Sequence, residues 1–220
     1  KRGPSPSGTY YDPVDIAPYL TKGSNTIAIL LWHFGKDGFS HINSGKAALL
    51  FEAIAPGLEI VSDASWQCAL YEAYQNTEAP FPNYRMPESN IRFDARQAIT
   101  NWNRTSFEGF VPGAVCVGKA GKAPFGDLVE RPIPQWKNSG LLSYVSVRES
   151  LRGDTLFCRL PYNAQITPYL KVEAEAGKTI HIRMDNYEGG SERNVRAEYI
   201  TREGEQEYES YGWMNGHEVY

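Results

Sequence analysis

The segment Tyr10-Tyr11-Asp12-Pro13-Val14-Asp15-Ile16-Ala17-Pro18-Tyr19-Leu20, then Gly23-Ser24-Asn25, then Thr26-Ile27-Ala28-Ile29-Leu30-Leu31-Trp32, decides the reading of this chain. Gly23, Ser24 and Asn25 tolerate positive φ or bond their own backbone, so the spacing predicts a chain reversal there. The apolar run after it is short and rich in β-branched residues. Bounded by turn signals, it reads as a strand buried on both faces. A short helical turn fits Pro13–Leu20.

The rest of the sequence keeps the same character. Ala47 to Ala53 reads as a strand and returns through Pro56-Gly57 to Leu58-Glu59-Ile60-Val61, a hairpin closing on Ser62 to Trp66. Residues 77–90 carry Pro80, Pro82 and Pro87 and read as irregular. Strands are expected at 91–97 and 114–118. Leu170, Val172 and Ala174 alternate with Lys171, Glu173 and Glu175; past Gly177, Ile180, Ile182 and Met184 alternate with His181, Arg183 and Asp185. The two runs read as one hairpin with a wet face. Asn186 to Ser191 reads as the next turn, and Val195, Ala197 and Tyr199 as inner-face positions. Many short strands with turns between them predict an all-β fold: two antiparallel β-sandwich domains in tandem. The composition shift at 118–127 divides the chain into 1–122 and 123–220.

Composition narrows the partners. The 220 residues carry a net charge of −4 with no basic stripe, which argues against nucleic acid. No apolar run reaches the roughly 18 residues that would span a bilayer, so no membrane partner is expected. Cys68, Cys116 and Cys158 are odd in number and widely spaced, and read as small buried hydrophobes. His33, His41, His181 and His217 do not stand at ligand spacing from them, so neither metal nor cofactor is expected.

Four motifs carry a family resemblance. The opening segment resembles the "YDVT-x-x-L-x-x-G-x-N-x-I-A-V" pattern of jelly-roll domains that accompany large glycoside hydrolases. Asp63-Ala64-Ser65-Trp66 is similar to the "T-D-x-S-W" strand entry of the bacterial α-L-rhamnosidase amino-terminal domain. Arg92-Phe93-Asp94-Ala95-Arg96 with Trp102 is similar to that family's "G-E-x-Y-D-A-R…W", with Asn90-Ile91 standing where the family has Gly-Glu. Arg202 to Glu209, followed by Tyr211-Gly212-Trp213, resembles its "G-x-Q-x-F-x-P…G-F-R-Y" ending. The resemblance implies an internal span of such an enzyme, glycoside hydrolase family 78, cut at both ends. The first domain would be a partial jelly roll of galactose-binding type and the second a concanavalin-like sandwich preceding an (α/α)6 barrel. That barrel would hold the two carboxylates that cleave terminal α-L-rhamnosyl linkages by inversion, set about 6.5–9.5 Å apart. No catalytic residue is expected in these 220 residues, which alone would be inactive. The resemblance places the enzyme in the periplasm or outside the cell. The alternatives are the jelly-roll region of a β-galactosidase-type enzyme and a free-standing lectin-like module.

Sugar contact needs aromatic faces for C–H groups and planar polar groups for hydroxyls. Trp32, His33 and Phe34 offer these types in a Gly-containing loop, although Trp32 also fits as the end of a core strand. Trp102 sits among polar residues and reads as exposed; Trp213, near Asn215 and His217, fits either a sugar contact or packing on a barrel. Trp66 and Trp136 read as packed. Glu203, Glu205, Glu207 and Glu209 fall at period two and read as a solvated face, since aligned like charges repel. Asp185, Asn186 and Glu188 read as a turn rather than a Ca²⁺ loop.

Overall fold

The computed structural model describes residues 3, 5, 7–33, 35, 37, 42–81, 90–113, 118–135, 137–187 and 194–220. In chain order its strands are β1 (Gly8–Tyr11), β2 (Glu52–Ala55), β3 (Leu58–Val61), β4 (Gln67–Cys68), β5 (Tyr74–Asn76), β6 (Ile91–Asp94), β7 (Val111–Pro112) and β8 (Asp127–Glu130). These continue as β9 (Ser146–Glu149), β10 (Leu156–Ile166), β11 (Tyr169–Ala174), β12 (Thr179–Ile182), β13 (Ala197–Ile200), β14 (Gly204–Glu209) and β15 (Met214–Val219). Among the described residues there is no α-helix, only short 3-10 turns, and the fold is all-β. Not every ladder is antiparallel, as the sequence had implied: β1–β8 and β13–β6 run parallel.

The chain forms two compact units that do not follow a single cut between 122 and 123. One holds Lys1–Leu70 with Ile99–Trp136; the other holds Tyr71–Ala98 with Lys137–Tyr220. The reason is β6, which pairs antiparallel with β5 and parallel with β13. Segment 71–98 thereby belongs to the sheet of the second unit.

In the first unit the hairpin expected around Pro56-Gly57 is present, with Glu52 opposite Val61 and Gly57 at φ 77°. Trp66 lies against it, its ring 5.4 Å from Phe51 and its indole N–H donating to the Val61 carbonyl at 3.0 Å. The turn before residue 26 also forms. Gly23 sits at φ 105°, and the Asn25 side chain accepts from the Thr21 N–H at 2.9 Å and donates to the Thr21 carbonyl at 2.8 Å. A 3-10 turn spans Ala17–Tyr19.

The buried strand expected at 26–32 is not there. These residues form no strand and are exposed or half-buried, with Trp32 50% exposed. Strand propensity expresses fit to a pleated surface between neighbours, and among the described residues no strand pairs with this run. The expected strand at 47–53 begins only at Glu52. Most of the strand expected at 114–118 lies outside the described residues.

The second unit contains the core. Its sheets are ordered β12-β13-β6-β5, β15-β10-β9 and β11-β14. One cluster gathers Leu160 and Ala164 from β10, Ile182 from β12, Ala197 from β13, and Met214 and Val219 from β15, with Met184 and Val195. A second joins Phe93, Tyr199 and Tyr208 with Ala73 and Ala95. Phe93 stacks on Tyr208 at 4.5 Å and 18°, so β14 packs on the four-stranded sheet through aromatic faces.

The alternation read at 170–174 and 180–182 is correct, but the hairpin is not. β11 pairs with β14, and β12 pairs with β13, on either side of Gly177 at φ 84°. The turn carries the chain from one sheet to another instead of folding it back within one. Leu170 and Ile180 both reach the two clusters. β13 also departs from expectation: all four of its residues are buried, not just those of one face.

Candidate functional site

Trp213, Asn215 and His217 share β15 or its approach. Register places Met214 opposite Ile166 and Gly216 opposite Ala164, positions that face the core. Asn215 opposite Gln165 therefore faces outward, and Trp213, two residues earlier, shares that side. Trp213 and Asn215 are half-buried and His217 is exposed. Beyond Gly216 the phase of burial slips by one residue, since Val219 rather than Glu218 is buried. The slip falls where the register with β10 jumps from Arg159 to Ala164, and the Asp185 carboxylate lies at that break. Its Oδ1 accepts from the successive N–H groups of His217 at 2.8 Å and Glu218 at 3.1 Å, while Oδ2 lies 3.5 Å from His217 Nδ1. The carboxylate thus satisfies two adjacent amides of β15 at this break in the ladder. Gly216 permits this approach, because a Cβ there would lie 2.2 Å from Asp185 Oδ1.

The result is an outward face with an indole, two planar amides and an imidazole steered by a carboxylate. This set can stack on a sugar ring and bond its hydroxyls. Asp185, read from sequence only as part of a turn, bonds the amides of His217 and Glu218 near the strand end.

The other candidates lie in the first unit. Trp32 and His33 are exposed, and Phe34 lies outside the described residues. Trp102 is half-buried rather than exposed. It follows Asn101, a non-glycine residue at φ 58°, in a tight turn closed by the Arg104 N–H donating to the Asn101 carbonyl at 2.9 Å. Trp213 alone belongs to the second unit. Trp136 and Cys116 also lie outside the described residues.

The motif residues close local structure. Asp94 ends β6 and accepts from the Arg96 N–H at 3.1 Å, from Nε at 2.9 Å and from Nη2 at 2.7 Å, with Gln97 Nε2 at 3.2 Å. The guanidinium holds this carboxyl below its ordinary value. Asp63 caps its own turn, with the Ser65 hydroxyl and N–H lowering its pKa. Glu205, Glu207 and Glu209 are exposed on β14, as expected, and Lys171 meets Glu205 at 2.9 Å.

A buried ionic cluster escaped the sequence reading. Arg196 and Glu198 have side chains 3% and 2% exposed and pair at 2.7 Å. Arg196 also donates to the carbonyls of Pro80 at 2.9 Å and Asn194 at 3.0 Å, and to that of Glu78. Glu198 Oε2 accepts from the Glu78 N–H at 3.2 Å and lies 4.0 Å from Arg92, which itself pairs with the Glu78 side chain. His181 Nδ1 is 4.0 Å from Glu198. Burial pushes the imidazole below its ordinary pKa, with Glu198 opposing. Period-two reading assigns 196 and 198 to a wet face; here segment 78–81 covers them. The only signal available was an Arg and a Glu two apart in a run otherwise suited to a central strand.

Among the described residues no group of three or more His, Cys, Asp or Glu side chains is arranged to hold a metal ion. No helix is long and apolar enough to cross a membrane. No protein-family model, no curated protein and no solved structure matches this chain.

Proposed function

We propose that this chain is an accessory region of an α-L-rhamnosidase-type glycoside hydrolase, one that supports a helical catalytic barrel and contacts carbohydrate. In this reading the first domain is jelly-roll-like and the second concanavalin-like. The parent enzyme removes terminal α-L-rhamnosyl residues from glycans or glycosides in the periplasm or outside the cell. The order of the motifs along the chain supports the family. The observation that carries the sugar contact is the outward face of β15, where Trp213 and Asn215 stand beside Gln165. An aromatic face flanked by planar amides matches the alternating C–H and hydroxyl surface of a pyranose.

The test is the activity of the whole parent protein on p-nitrophenyl α-L-rhamnopyranoside, beside residues 1–220 alone. Release of nitrophenol by the parent and none by residues 1–220 supports the reading. Cleavage of a β-galactoside instead, with no action on the rhamnoside, overturns it in favour of a β-galactosidase-type enzyme.

A further inference from the structure

The β15 face proposed to meet carbohydrate reaches His217, and the fold fixes how that imidazole is presented. Arg183 and Tyr220 exchange both backbone hydrogen bonds, at 3.0 and 2.9 Å, and Met184 bridges Val219 in the antiparallel sense. This short ladder lays Asp185 beside the last residues of β15. The half-buried Asp185 carboxylate then engages one neighbour twice. Its Oδ1 accepts from the His217 N–H at 2.8 Å, and its Oδ2 lies 3.5 Å from His217 Nδ1. The Glu218 N–H, donating to Oδ1 at 3.1 Å, holds the carboxylate in place.

Backbone and ring of His217 are thus both referred to a single carboxylate, which when ionised can only accept. The ring nitrogen facing it is favoured as a donor, Nδ1–H, and Nε2 is left as the bare acceptor. A free histidine side chain prefers the opposite tautomer, with its proton on Nε2. The His217 side chain is 57% exposed, and among the described residues no hydrogen bond forms at Nε2. Met214 and Gly216 are buried, so His217 stands on the side of β15 that carries Trp213 and Asn215. The amides of Asn215 and Gln165 can each donate and accept, whereas Nε2 in this tautomer only accepts. It does not suit an anion or a carbonyl oxygen, which have no proton to give. It suits a hydroxyl.

We propose that Asp185 is a positioning residue that holds His217 in the Nδ1–H tautomer, and that His217 Nε2 accepts a hydrogen bond from one hydroxyl of the carbohydrate on the β15 face. This role rests on the carbohydrate contact proposed above and adds to it the acceptor that selects a hydroxyl.

Two measurements on residues 1–220 test it. Long-range proton–nitrogen correlation of the histidine rings at about pH 8, where an ordinary imidazole is neutral, should show His217 protonated at Nδ1. Its signal is assigned by loss in His217→Ala. Asp185→Asn keeps a carbonyl oxygen for the two β15 amides but places an N–H toward Nδ1, and should move the ring proton to Nε2. Calorimetric titration with methyl α-L-rhamnoside and methyl β-galactoside should show binding weakened about fivefold by His217→Ala, the worth of one hydrogen bond. Asp185→Asn should weaken it by a similar factor. Among monodeoxy analogues of the bound sugar, one should bind the native protein less well and lose that deficit in His217→Ala. An Nε2–H tautomer in the native protein overturns the proposal, as does a tautomer unmoved by Asp185→Asn. So does a sugar whose affinity falls in Trp213→Ala and not in His217→Ala, a result that leaves the carbohydrate reading standing. Absence of heat with both sugars, beside a His217 ring protonated at Nδ1, overturns the carbohydrate contact at β15 itself and the ligand named here with it.

Discussion

Replacing Arg196 by Met keeps most of the buried stem and removes the charge. In the native protein the guanidinium holds Glu198 at 2.7 Å and three backbone carbonyls, those of Glu78, Pro80 and Asn194. With the cation gone, the partners left to Glu198 among the described residues are the Glu78 N–H at 3.2 Å and two groups at 4.0 Å, Arg92 and His181. Removing one partner of a buried ion pair leaves an uncompensated charge and costs about 3–5 kcal/mol. Against a typical total of about 5–15 kcal/mol, that loss moves the unfolding midpoint far. Adding Glu198→Gln to Arg196→Met removes the stranded charge. The double variant should recover about 1–2 kcal/mol over Arg196→Met alone, the sign of a coupled pair. Urea denaturation followed by hydrogen exchange of peptides covering β13 measures both quantities in the relevant strand. A cost for Arg196→Met below about 1 kcal/mol would refute the reasoning. So would additive losses in the double variant, since independent residues would then be acting.

Three further outcomes follow from other parts of the fold. Asp94 has a pKa below its unfolded value of 3.8, so its contribution is present above that value and is lost as pH falls through the lower, folded one. Asp94→Asn should therefore flatten the acid side of the stability curve below about pH 4 while lowering stability at neutral pH, as read by thermal melts across pH. Gly216→Ala would drive a methyl group into Asp185 Oδ1 and against Met184, and should cost about 1–3 kcal/mol in urea. The same change should cost less beside Asp185→Ala. A fragment of residues 123–220 lacks β5 and β6, and so lacks Phe93 under Tyr199 and Tyr208. It should show no cooperative thermal transition, and a synthetic 71–98 peptide should restore one.

Local chemistry was readable wherever the determinant lay within a few residues. The Pro56-Gly57 hairpin, the Gly23–Asn25 reversal and the exposed glutamates of β14 depend on turn geometry and period two, and all three form. The partners of β11 and β12 were not readable, because alternation names a face without naming the neighbouring strand. Residues 26–32 have strand propensity in full and still lack a ladder. At the candidate site, Trp213 and Asn215 were legible by residue type, but Asp185 was not. Its role arises from amides 32 and 33 residues downstream in the sequence, and only Gly216 hinted at a close approach. Arg196 and Glu198 were hidden for the same reason: the segment that buries them is more than 100 residues away.

The parallel ladder between β6 and β13 sets a timetable for biosynthesis. Asp94 leaves the ribosome roughly a hundred residues before Ile200, its partner in register. At about 5–20 residues per second, Phe93, Tyr71 and Tyr74 wait on the order of 5–20 s before the strand that shelters them exists. During that interval an aromatic hairpin is presented to the surrounding medium with its outer edge unpaired. Nascent-chain binding by a chaperone should therefore peak as codons 71–200 are translated and fall once β13 and β14 have emerged.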